Sequence, residues 1–403
     1  MEKIKSYSLQ AMAWRRLRKN KPAVASLMFV IICIITSMFC YVIVGDNTTD
    51  SNTMIPQLSL KDPGFSIKVL KVKKDVPDND NGFLSQLFLG KNPTYELLPI
   101  TFYDEQNNCL IYGEYKGEGL PKSIAKKKYT DILFSVSPID TSVIDRNDSV
   151  FIHNVYGKEE GEAKKNLFSK VESENIVTQK YLLGSDQYGR DIFSRLLVGL
   201  RISLSVGFIA VIISLFIGIL FGSLAGYFQG KTDFIISWLI NVMWAIPTIL
   251  IVFALTLAIG KGFWQIFLAV GLTMWVSVAR LVRGQVMVAS KMEYVEAARS
   301  LGYSHFRTLF KHILPNIMGP VLVIAASNFA TAILIEAGLS FLGLGVQPPT
   351  PSWGSMLREN YGFIVSGHPL MAIIPGLSIV CLVLAFNVLG NGLRDALDVK
   401  SKS

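Results

Sequence analysis

Long apolar blocks separated by short polar stretches dominate the pattern of this chain. Six of these blocks reach the roughly 20 residues that a helix needs to cross a bilayer. The blocks are Ala23–Gly45, Ser203–Tyr227, Phe234–Ile259, Phe263–Val282, Ile317–Leu339 and Leu370–Leu393. The pattern predicts an all-α membrane protein with six transmembrane helices, of which the last has the softest boundaries.

The region between the first two blocks follows a different pattern. Residues 46–183 are rich in Lys, Asp, Glu and Asn and contain no long apolar block. Phe65–Val72 and Tyr95–Tyr103 alternate apolar with polar residues, as half-buried strands do. Asp78–Gly82 is a turn cluster, and Leu89 stands where a calcium loop would need its closing Glu. We therefore predict a soluble β-rich or α+β domain inserted between helices 1 and 2.

The distribution of charge predicts the orientation in the membrane. The chain has 403 residues, is 51% hydrophobic and carries a net charge of +9. Among the short segments that flank the spans, Lys and Arg residues mark residues 1–22, 280–311 and 394–403, and such positive segments favour the cytoplasmic side. Both termini are thus expected in the cytoplasm and the inserted domain outside it. The first block is longer than a signal-peptide core and lacks a cleavage site, so it is an uncleaved anchor.

The same distribution argues against two other classes of partner. The excess of positive charge lies at the membrane edges and does not form a basic stripe interleaved with stacking aromatics, so nucleic-acid binding is not expected. Cysteine and histidine residues are too scattered to form a metal site. No cofactor is predicted. Ala225–Thr232 comes close to a phosphate-binding loop, but it starts with Ala and follows a membrane span, so ATP binding by this chain is not expected.

Residues 184–202 precede the second span and have the apolar spacing of a helix that lies at the membrane interface. Asp186 and Asp191 would lie near the positive N-terminal end of that helix. Arg190 is on the side expected to face outward, where a snorkelling side chain is tolerated. The sequence therefore predicts an interfacial helix containing these three charged residues.

The loop at residues 283–315 is polar yet rich in helix-forming residues. Glu, Ala and Arg favour a short helix from Glu293 to Ser300, and acidic residues near its start complement the helix dipole. Gly302 supplies a helix stop that requires a positive φ. A second helix is expected from Ser304 to Pro315, where the next span begins.

This loop is the main candidate for a functional surface. Small side chains at Ala297 and Ala298 allow close approach of a partner, while Leu301, Tyr303 and Phe306 supply apolar anchors. A plain connecting loop is the alternative, but helix content in a polar loop of this length favours docking. The candidate docking residues are Glu293, Glu296, Ala297, Ala298, Leu301, Gly302, Tyr303, His305 and Pro315.

Three further groups of candidates lie in or near the last spans. Glu336 is an acid close to the end of the fifth span, where burial in lipid is costly unless the residue lines water, so it is a candidate for a translocation path. Asn328 and Trp244 are further candidates for that path. Pro348, Pro349, Pro351 and Trp353 form a segment that cannot continue a helix and predict a rigid outer elbow.

Several motifs resemble those of known transport proteins. The order Glu296-Ala-Ala, then Gly302 and Pro315, resembles the EAA loop of ABC importer permeases. Ser340–Gly354 resembles a stretch of the C-type permease subunit of dipeptide and oligopeptide importers. Gly184–Asp191 resembles the Gly-Thr-Asp-x-x-Gly-Arg-Asp of that subfamily, with Ser in place of Thr. The resemblance covers residues 1–45 and 184–400, and the long insertion departs from it.

This resemblance implies a permease subunit without catalytic residues, located in a bacterial cytoplasmic membrane. Its implied partners are a second permease subunit, two cytoplasmic ATPase subunits that dock on the EAA loop, an extracytoplasmic substrate-binding protein, membrane lipid and a dipeptide or oligopeptide substrate. Nickel or another small solute is an alternative substrate. A membrane-anchored extracytoplasmic sensor is an alternative from another class, and it would leave the docking loop without a role.

Overall fold

The computed structural model describes residues 9–74, 76, 82–121, 123–134, 143–146, 149–153, 159–260 and 262–397. Most of the predicted turn cluster, residues 78–81, lies outside these ranges. The chain divides into two compact units. The core unit comprises Met1–Ser37, Gly199–Tyr361 and Ala372–Ser403, and the insert unit comprises Met38–Val198 and Gly362–Met371.

Helices account for most of the core unit and a few short elements of the insert unit. They are α1 (Leu9–Leu17), α2 (Lys21–Met38), α3 (Cys40–Ile43), α4 (Phe83–Leu89), α5 (Tyr129–Leu133), α6 (Leu167–Lys170), α7 (Ile192–Phe228), α8 (Gly230–Ala245), α9 (Thr248–Ile259), α10 (Phe263–Ala289), α11 (Glu293–Ser300), α12 (His305–Thr308), α13 (Leu314–Phe341), α14 (Trp353–Asn360) and α15 (Leu370–Leu397).

The strands all belong to the insert unit. They are β1 (Phe65–Lys73), β2 (Tyr95–Gln106), β3 (Cys109–Glu114), β4 (Ser123–Lys128), β5 (Val143–Arg146), β6 (Ser149–His153), β7 (Glu159–Ala163) and β8 (Ile176–Tyr181). The strands predicted at Phe65–Val72 and Tyr95–Tyr103 are therefore present.

The described part of the chain contains five helices that are long and apolar enough to cross a membrane. These are α2, α7, α10, the helical run His305–Phe341 that includes α13, and α15. The pair α8 and α9 passes the same test together, with a bend of 92° between the two helices, and raises the number to six if it is one span. The prediction of a mostly helical membrane protein is confirmed at this level.

Two of the predicted spans are interrupted in the structure. The span predicted at Phe234–Ile259 is broken because Pro247 lacks an N–H and forces the preceding Ile246 into an extended conformation, with φ −100° and ψ 131°. The first block also breaks, since α2 ends at Met38 and the short helix α3 follows it.

The prediction of one interfacial helix over residues 184–202 was wrong. Residues 184–191 form a loop, and α7 runs without interruption for 37 residues from Ile192. No proline interrupts this stretch, so backbone hydrogen bonding continues through it. At about 1.5 Å per residue, α7 is roughly 55 Å long.

Close packing of α7 against α10 forms the centre of the core unit. Gly218, Gly222 and Gly226 recur every fourth residue and therefore lie on one face of α7. A Cβ atom at Gly222 would lie 2.6 Å from the carbonyl oxygen of Ala279 and 2.8 Å from the Cβ of Val282. Small residues at this spacing let two helix backbones approach, as is common in membranes.

The insert unit is built on an antiparallel sheet of five strands in the order β4-β3-β2-β1-β8. One face packs Leu70, Ile100 and Leu110 against α5 and α6 in a buried apolar core. A smaller cluster formed by Ile55, Leu58 and Tyr181 lies against the other face. A second sheet has the order β5-β6-β7. The β-containing insert is thus present, while its side of the membrane remains a prediction.

Candidate functional site

The predicted docking loop begins with α11, which ends in a Schellman motif centred on Gly302. The N–H of Tyr303 donates to the carbonyl of Ala298 at 3.2 Å, and the N–H of Gly302 donates to the carbonyl of Arg299 at 2.9 Å. Gly302 has φ +76°, as predicted, and no heavy atom lies within 4 Å of the position that its Cβ would occupy. The positive φ alone therefore explains the glycine.

One face of α11 is anchored in the core unit. Val295 is fully buried and belongs to an apolar cluster that includes Val286 of α10, Leu309 and Ile313. Ala298 is buried one turn further along. Burial of these two residues on one face of the helix fixes the direction in which the opposite face points.

The segment after Gly302 is a single helical run. The Ser304 hydroxyl caps α12 by accepting from the N–H of Arg307 at 3.4 Å, and a π-helical turn over Leu309–Ile313 joins α12 to α13. Pro315 lies in the first turn of α13, as predicted, and the helical run from His305 to Phe341 passes as a whole for a membrane span. The π-helical turn before Pro315 accommodates a proline, which has no backbone N–H to donate to the preceding turn.

Aromatic contacts attach this run to the end of α7. The hydroxyl of Tyr227 and Nδ1 of His305 lie 3.0 Å apart, within hydrogen-bond distance. The guanidinium of Arg299 lies 5.2 Å from the ring centroid of Tyr227. Tyr303 stacks on His312 with ring centroids 5.5 Å apart. The role of Tyr227 was not predicted from the sequence, since its partner His305 is 78 residues away and no local pattern indicates the contact.

The outward surface of the loop combines apolar and acidic side chains. Leu301 is 72% exposed and Phe306 65% exposed. Glu293, Glu296 and Ala297 are also exposed. We call the exposed residues Glu293, Glu296, Ala297, Leu301, Gly302 and Phe306 the coupling surface. Exposed apolar groups rimmed by polar residues and held on an ordered scaffold are typical of a protein interaction site.

An ion pair near this region was not predicted from the sequence. Arg283 of α10 binds the carboxylate of Asp233 in α8 with two donors, of which Nη2 lies 2.7 Å from Oδ2. The guanidinium of Arg280 lies 3.2 Å from the ring centroid of Trp244, whose side chain is 60% exposed. Both contacts hold α8 against α10.

The translocation candidates do not form one lining. Glu336 is fully buried, and its carboxylate accepts from the hydroxyls of Ser340 at 2.7 Å and Ser203 at 3.3 Å. Asn328 is buried as well and lies 3.5 Å from the hydroxyl of Ser277. Serine hydroxyls of this chain thus bind the Glu336 carboxylate, and its role in a translocation path stays a prediction.

The predicted outer elbow is only partly an elbow. Pro348, Pro349 and Pro351 lie in a non-helical segment between α13 and α14, as predicted. Trp353 instead starts α14, because Ser352 forms a capping box with Ser355 at the helix start. The Trp353 ring is buried, and a Cβ at Gly199 would lie 3.0 Å from it.

The charged residues predicted for an interfacial helix form a buried cluster in the insert unit. The Nε of Arg190 lies 2.6 Å from Oδ2 of Asp186, whose Oδ1 accepts the N–H groups of Tyr188 and Arg190. Asp191 caps α7 by accepting the N–H of Ser194 at 3.0 Å. The prediction of a helix was wrong here because these side chains satisfy the backbone of a loop.

Comparison with known proteins identifies the class. Residues 218–402 match the family model for the binding-protein-dependent transport system inner membrane component. Residues 8–63 match the N-terminal transmembrane domain of oligopeptide transport permease C. Residues 64–217, which contain most of the insert, fall between the two matches.

Relatives extend the match over most of their own length. The glutathione transport system permease protein GsiD of Pectobacterium atrosepticum is 46% identical over 221 residues, which cover 55% of this chain and 73% of that protein. The oligopeptide transport system permease protein OppC of Bacillus subtilis is 42% identical, with 55% and 73% covered. The dipeptide transport system permease protein DppC of Alkalihalophilus pseudofirmus is 42% identical, with 56% and 73% covered.

Among solved structures, an inward-facing MetNI methionine ABC transporter matches with a TM-score of 0.42 and 20% identity, over 50% of this chain and 96% of that chain. The family models and the relatives together establish the family. The chain belongs to the binding-protein-dependent transport inner membrane components, as a C-type permease of ABC importers. It is therefore a multi-pass inner-membrane protein.

Proposed function

We propose that this chain is the permease subunit of an ATP-driven importer of short peptides, and that its coupling surface docks a cytoplasmic ATPase subunit. The observation that carries this proposal is the exposure of Leu301 and Phe306 on a loop whose backbone is fixed by the Gly302 cap. The peptide substrate follows from the relatives, which are named for glutathione, oligopeptide and dipeptide transport.

The rest of the assembly follows the same proposal. A second permease subunit completes the translocation path, two ATPase subunits supply the energy, and an extracytoplasmic binding protein delivers the peptide. Both termini and the coupling surface then lie in the cytoplasm, in agreement with the excess of Lys and Arg in residues 1–22 and 280–311. The insert unit lies on the outer side.

Mechanical coupling requires that a docked partner move the spans and not the loop alone. Val295 and Ala298 bury one face of α11 in a cluster shared with α10. The run that starts at His305 continues into α13 without a break. A force applied at Leu301 is thus transmitted to two spans through packed side chains and a continuous helix.

The energetic requirement is a difference in affinity between conformations. ATP binding in the ATPases and loaded binding protein outside each have to favour one state of the permease over another, because a ligand that binds both states equally shifts no equilibrium. The coupling surface is the place where the ATPase state and the permease state are linked.

A charge placed in the apolar part of the coupling surface tests the proposal. Leu301→Asp leaves the folded core intact because the side chain is 72% exposed, but it introduces a charge that must be desolvated on docking. Affinity purification of the tagged protein from its native membranes in mild detergent measures which ATPase subunits accompany it. We expect Leu301→Asp to lose most of the co-purified ATPase.

Leu120→Asp is the matched control, since Leu120 is also exposed, at 58%, but lies in the insert unit. It is expected to retain the ATPase at the level of the unaltered protein. Equal recovery of ATPase with Leu301→Asp and Leu120→Asp would rule out docking through the coupling surface.

A further inference from the structure

The insert unit contains a cleft of about 620 Å³ on the sheet face that does not carry the main apolar core. The register places Lys71 opposite Leu97 and Val69 opposite Val177, so these residues share one face of the sheet. Tyr95 and Gln179 continue that wall. The volume falls within the roughly 300–1,000 Å³ typical of small-molecule sites.

The other walls come from segments that flank the sheet in space. Asp46 and Thr48 line the cleft from the segment after α3, and Lys91 and Asn92 line it from the loop before β2. Asp191, at the start of α7, lines it from a further side. The cleft therefore combines carboxylate, ammonium and amide groups with the apolar surface of the sheet.

Asp191 is the feature that points to a ligand. Its side chain is 4% exposed, and its Oδ2 accepts both the N–H and the hydroxyl of Ser194. Its Oδ1 is buried and has no hydrogen-bond partner among the residues that the structure describes. A buried carboxylate oxygen left unpaired has lost its hydrogen bonds to water without replacing them, so such an atom calls for an explanation.

The neighbouring charges leave Asp191 undercompensated. Oδ2 of Asp186 lies 2.6 Å from Arg190 Nε and 4.0 Å from Arg195 Nε, and both guanidiniums also donate to Oδ1 of Asn52. Asp46 is satisfied by the N–H groups of Thr48 and Thr53 and by the Thr48 hydroxyl. Within this cluster three carboxylates face two guanidiniums.

The direction of the pKa shift at Asp191 is consistent with the excess of carboxylates over guanidiniums in this cluster. Burial raises the pKa of the Asp191 carboxyl, and the nearby Asp46 carboxylate raises it further, although Ser194 donates to it. A cation supplied from the cleft would stabilise the charged form of Asp191.

Groups of the opposite sign line the same cleft. Lys71 extends from the sheet wall and Lys91 from the loop before β2. Lys180 also borders the cleft. It is the next residue after Gln179 in β8 and pairs with Ser66, so its side chain lies on the other face of the sheet. One buried carboxylate and two lysines are the complement of a small zwitterion.

We propose that this cleft binds a short peptide, with the peptide's free N-terminal ammonium at Asp191 and its C-terminal carboxylate at Lys71 and Lys91. The choice of a peptide over another zwitterion rests on the proposed function. Apolar surface from Tyr95 and Leu97 accommodates its side chains. The permease subunit then holds peptide in its insert, in addition to the translocation path.

Binding to the full-length protein, purified with its partners in mild detergent, tests this site by titration calorimetry. The probes are trialanine, N-acetyl-trialanine and trialanine amide. We expect trialanine to bind, acetylation to weaken binding at least about tenfold, which corresponds to about 1.4 kcal/mol, and amidation to weaken it as well. No binding of trialanine, or equal binding of the acetylated peptide, would overturn the proposal.

Asp191→Asn locates the effect in the cleft. Asn retains an oxygen that accepts the Ser194 N–H and is a good helix N-cap, so the start of α7 is preserved while the charge is removed. We expect trialanine to bind at least about tenfold more weakly and no longer to be distinguished from its acetylated form. Glu118→Gln, which changes an exposed carboxylate of the insert unit, should leave both affinities unchanged.

Three further outcomes show whether the peptide binds in the cleft. If Asp191→Asn and Glu118→Gln bind trialanine equally, the peptide binds elsewhere and the proposal is wrong. If Mg²⁺ or Ca²⁺ alone binds to the unaltered protein and is lost in Asp191→Asn while trialanine does not compete, the cleft is a cation site. If Asp191→Asn unfolds, Lys91→Gln replaces it and is titrated with trialanine and trialanine amide; equal discrimination between these two peptides by Lys91→Gln and by the unaltered protein would overturn the proposal. ATPase recovered in the same preparations reports on the proposed function separately.

Discussion

The cap at Gly302 gives a sharp prediction about coupling. An L-residue at φ +76° pays roughly 1–2 kcal/mol in strain, more if it is β-branched, whereas Asn adopts this region comparatively readily. No heavy atom lies within 4 Å of a Cβ at this position, so a new side chain adds no clash. Gly302→Val therefore tests backbone conformation alone, and Gly302→Asn is its matched control.

The strain acts on the geometry that presents Leu301 and Phe306. About 1–2 kcal/mol changes the ratio of the native loop to alternative conformations by a factor of roughly 5–30. Insertion and folding of the spans should be unaffected, because Val295 and Ala298 still anchor α11. We expect Gly302→Val to reduce peptide uptake per ATP hydrolysed by several-fold and Gly302→Asn to stay near the unaltered protein.

The assay is reconstitution of the complete transporter in proteoliposomes, with radiolabelled tripeptide uptake and ATP hydrolysis measured in the same sample. If Gly302→Val and Gly302→Asn show the same ratio of uptake to hydrolysis, the left-handed conformation is not what the loop requires. If Gly302→Val fails to insert into the membrane, the loop has a folding role that the argument does not include.

Two further predictions concern the core unit. The hydroxyls of Ser340 and Ser203 bind the Glu336 carboxylate. Glu336→Gln should therefore retain uptake and change the free energy of unfolding by only about 1 kcal/mol. Loss of uptake by a normally folded variant would indicate that Glu336 acts in the translocation path. Gly222→Ala should overpack the contact of α7 with α10, reduce the free energy of unfolding by about 1–3 kcal/mol and lower the Tm in detergent. Gly284→Ala is the control, since no heavy atom of the described residues lies within 4 Å of its Cβ, and it should leave the Tm unchanged. Equal Tm values for the two variants would contradict the packing of α7 on α10.

The features predicted correctly from the sequence are those encoded locally. The apolar blocks gave most of the spans, alternation gave β1 and β2, and the position of Gly302 after a helix-forming run gave the cap. Each of these depends on residues within a few positions of one another. The bend at Pro247 was also encoded locally, but the apolar block around it concealed the break.

The features that were missed depend on residues far apart in the chain. The hydrogen bond between Glu336 and Ser203 was not predicted because the two residues lie 133 positions apart. The cluster around Asp191 was taken for a helix surface because the segment that covers it, beginning at Asp46, lies 148 positions from Ser194. A single sequence contains the charges of such a cluster but not their pairing.

Photo-crosslinking in native membranes determines whether Leu301 contacts an ATPase subunit, as we propose. A photo-crosslinking amino acid in place of Leu301, compared with the same group in place of Leu120, is irradiated and the adducts are identified by mass spectrometry. We expect an adduct between position 301 and an ATPase subunit, and none with that subunit from position 120. Adducts of position 301 with lipid or with other proteins, but with no ATPase, would contradict it.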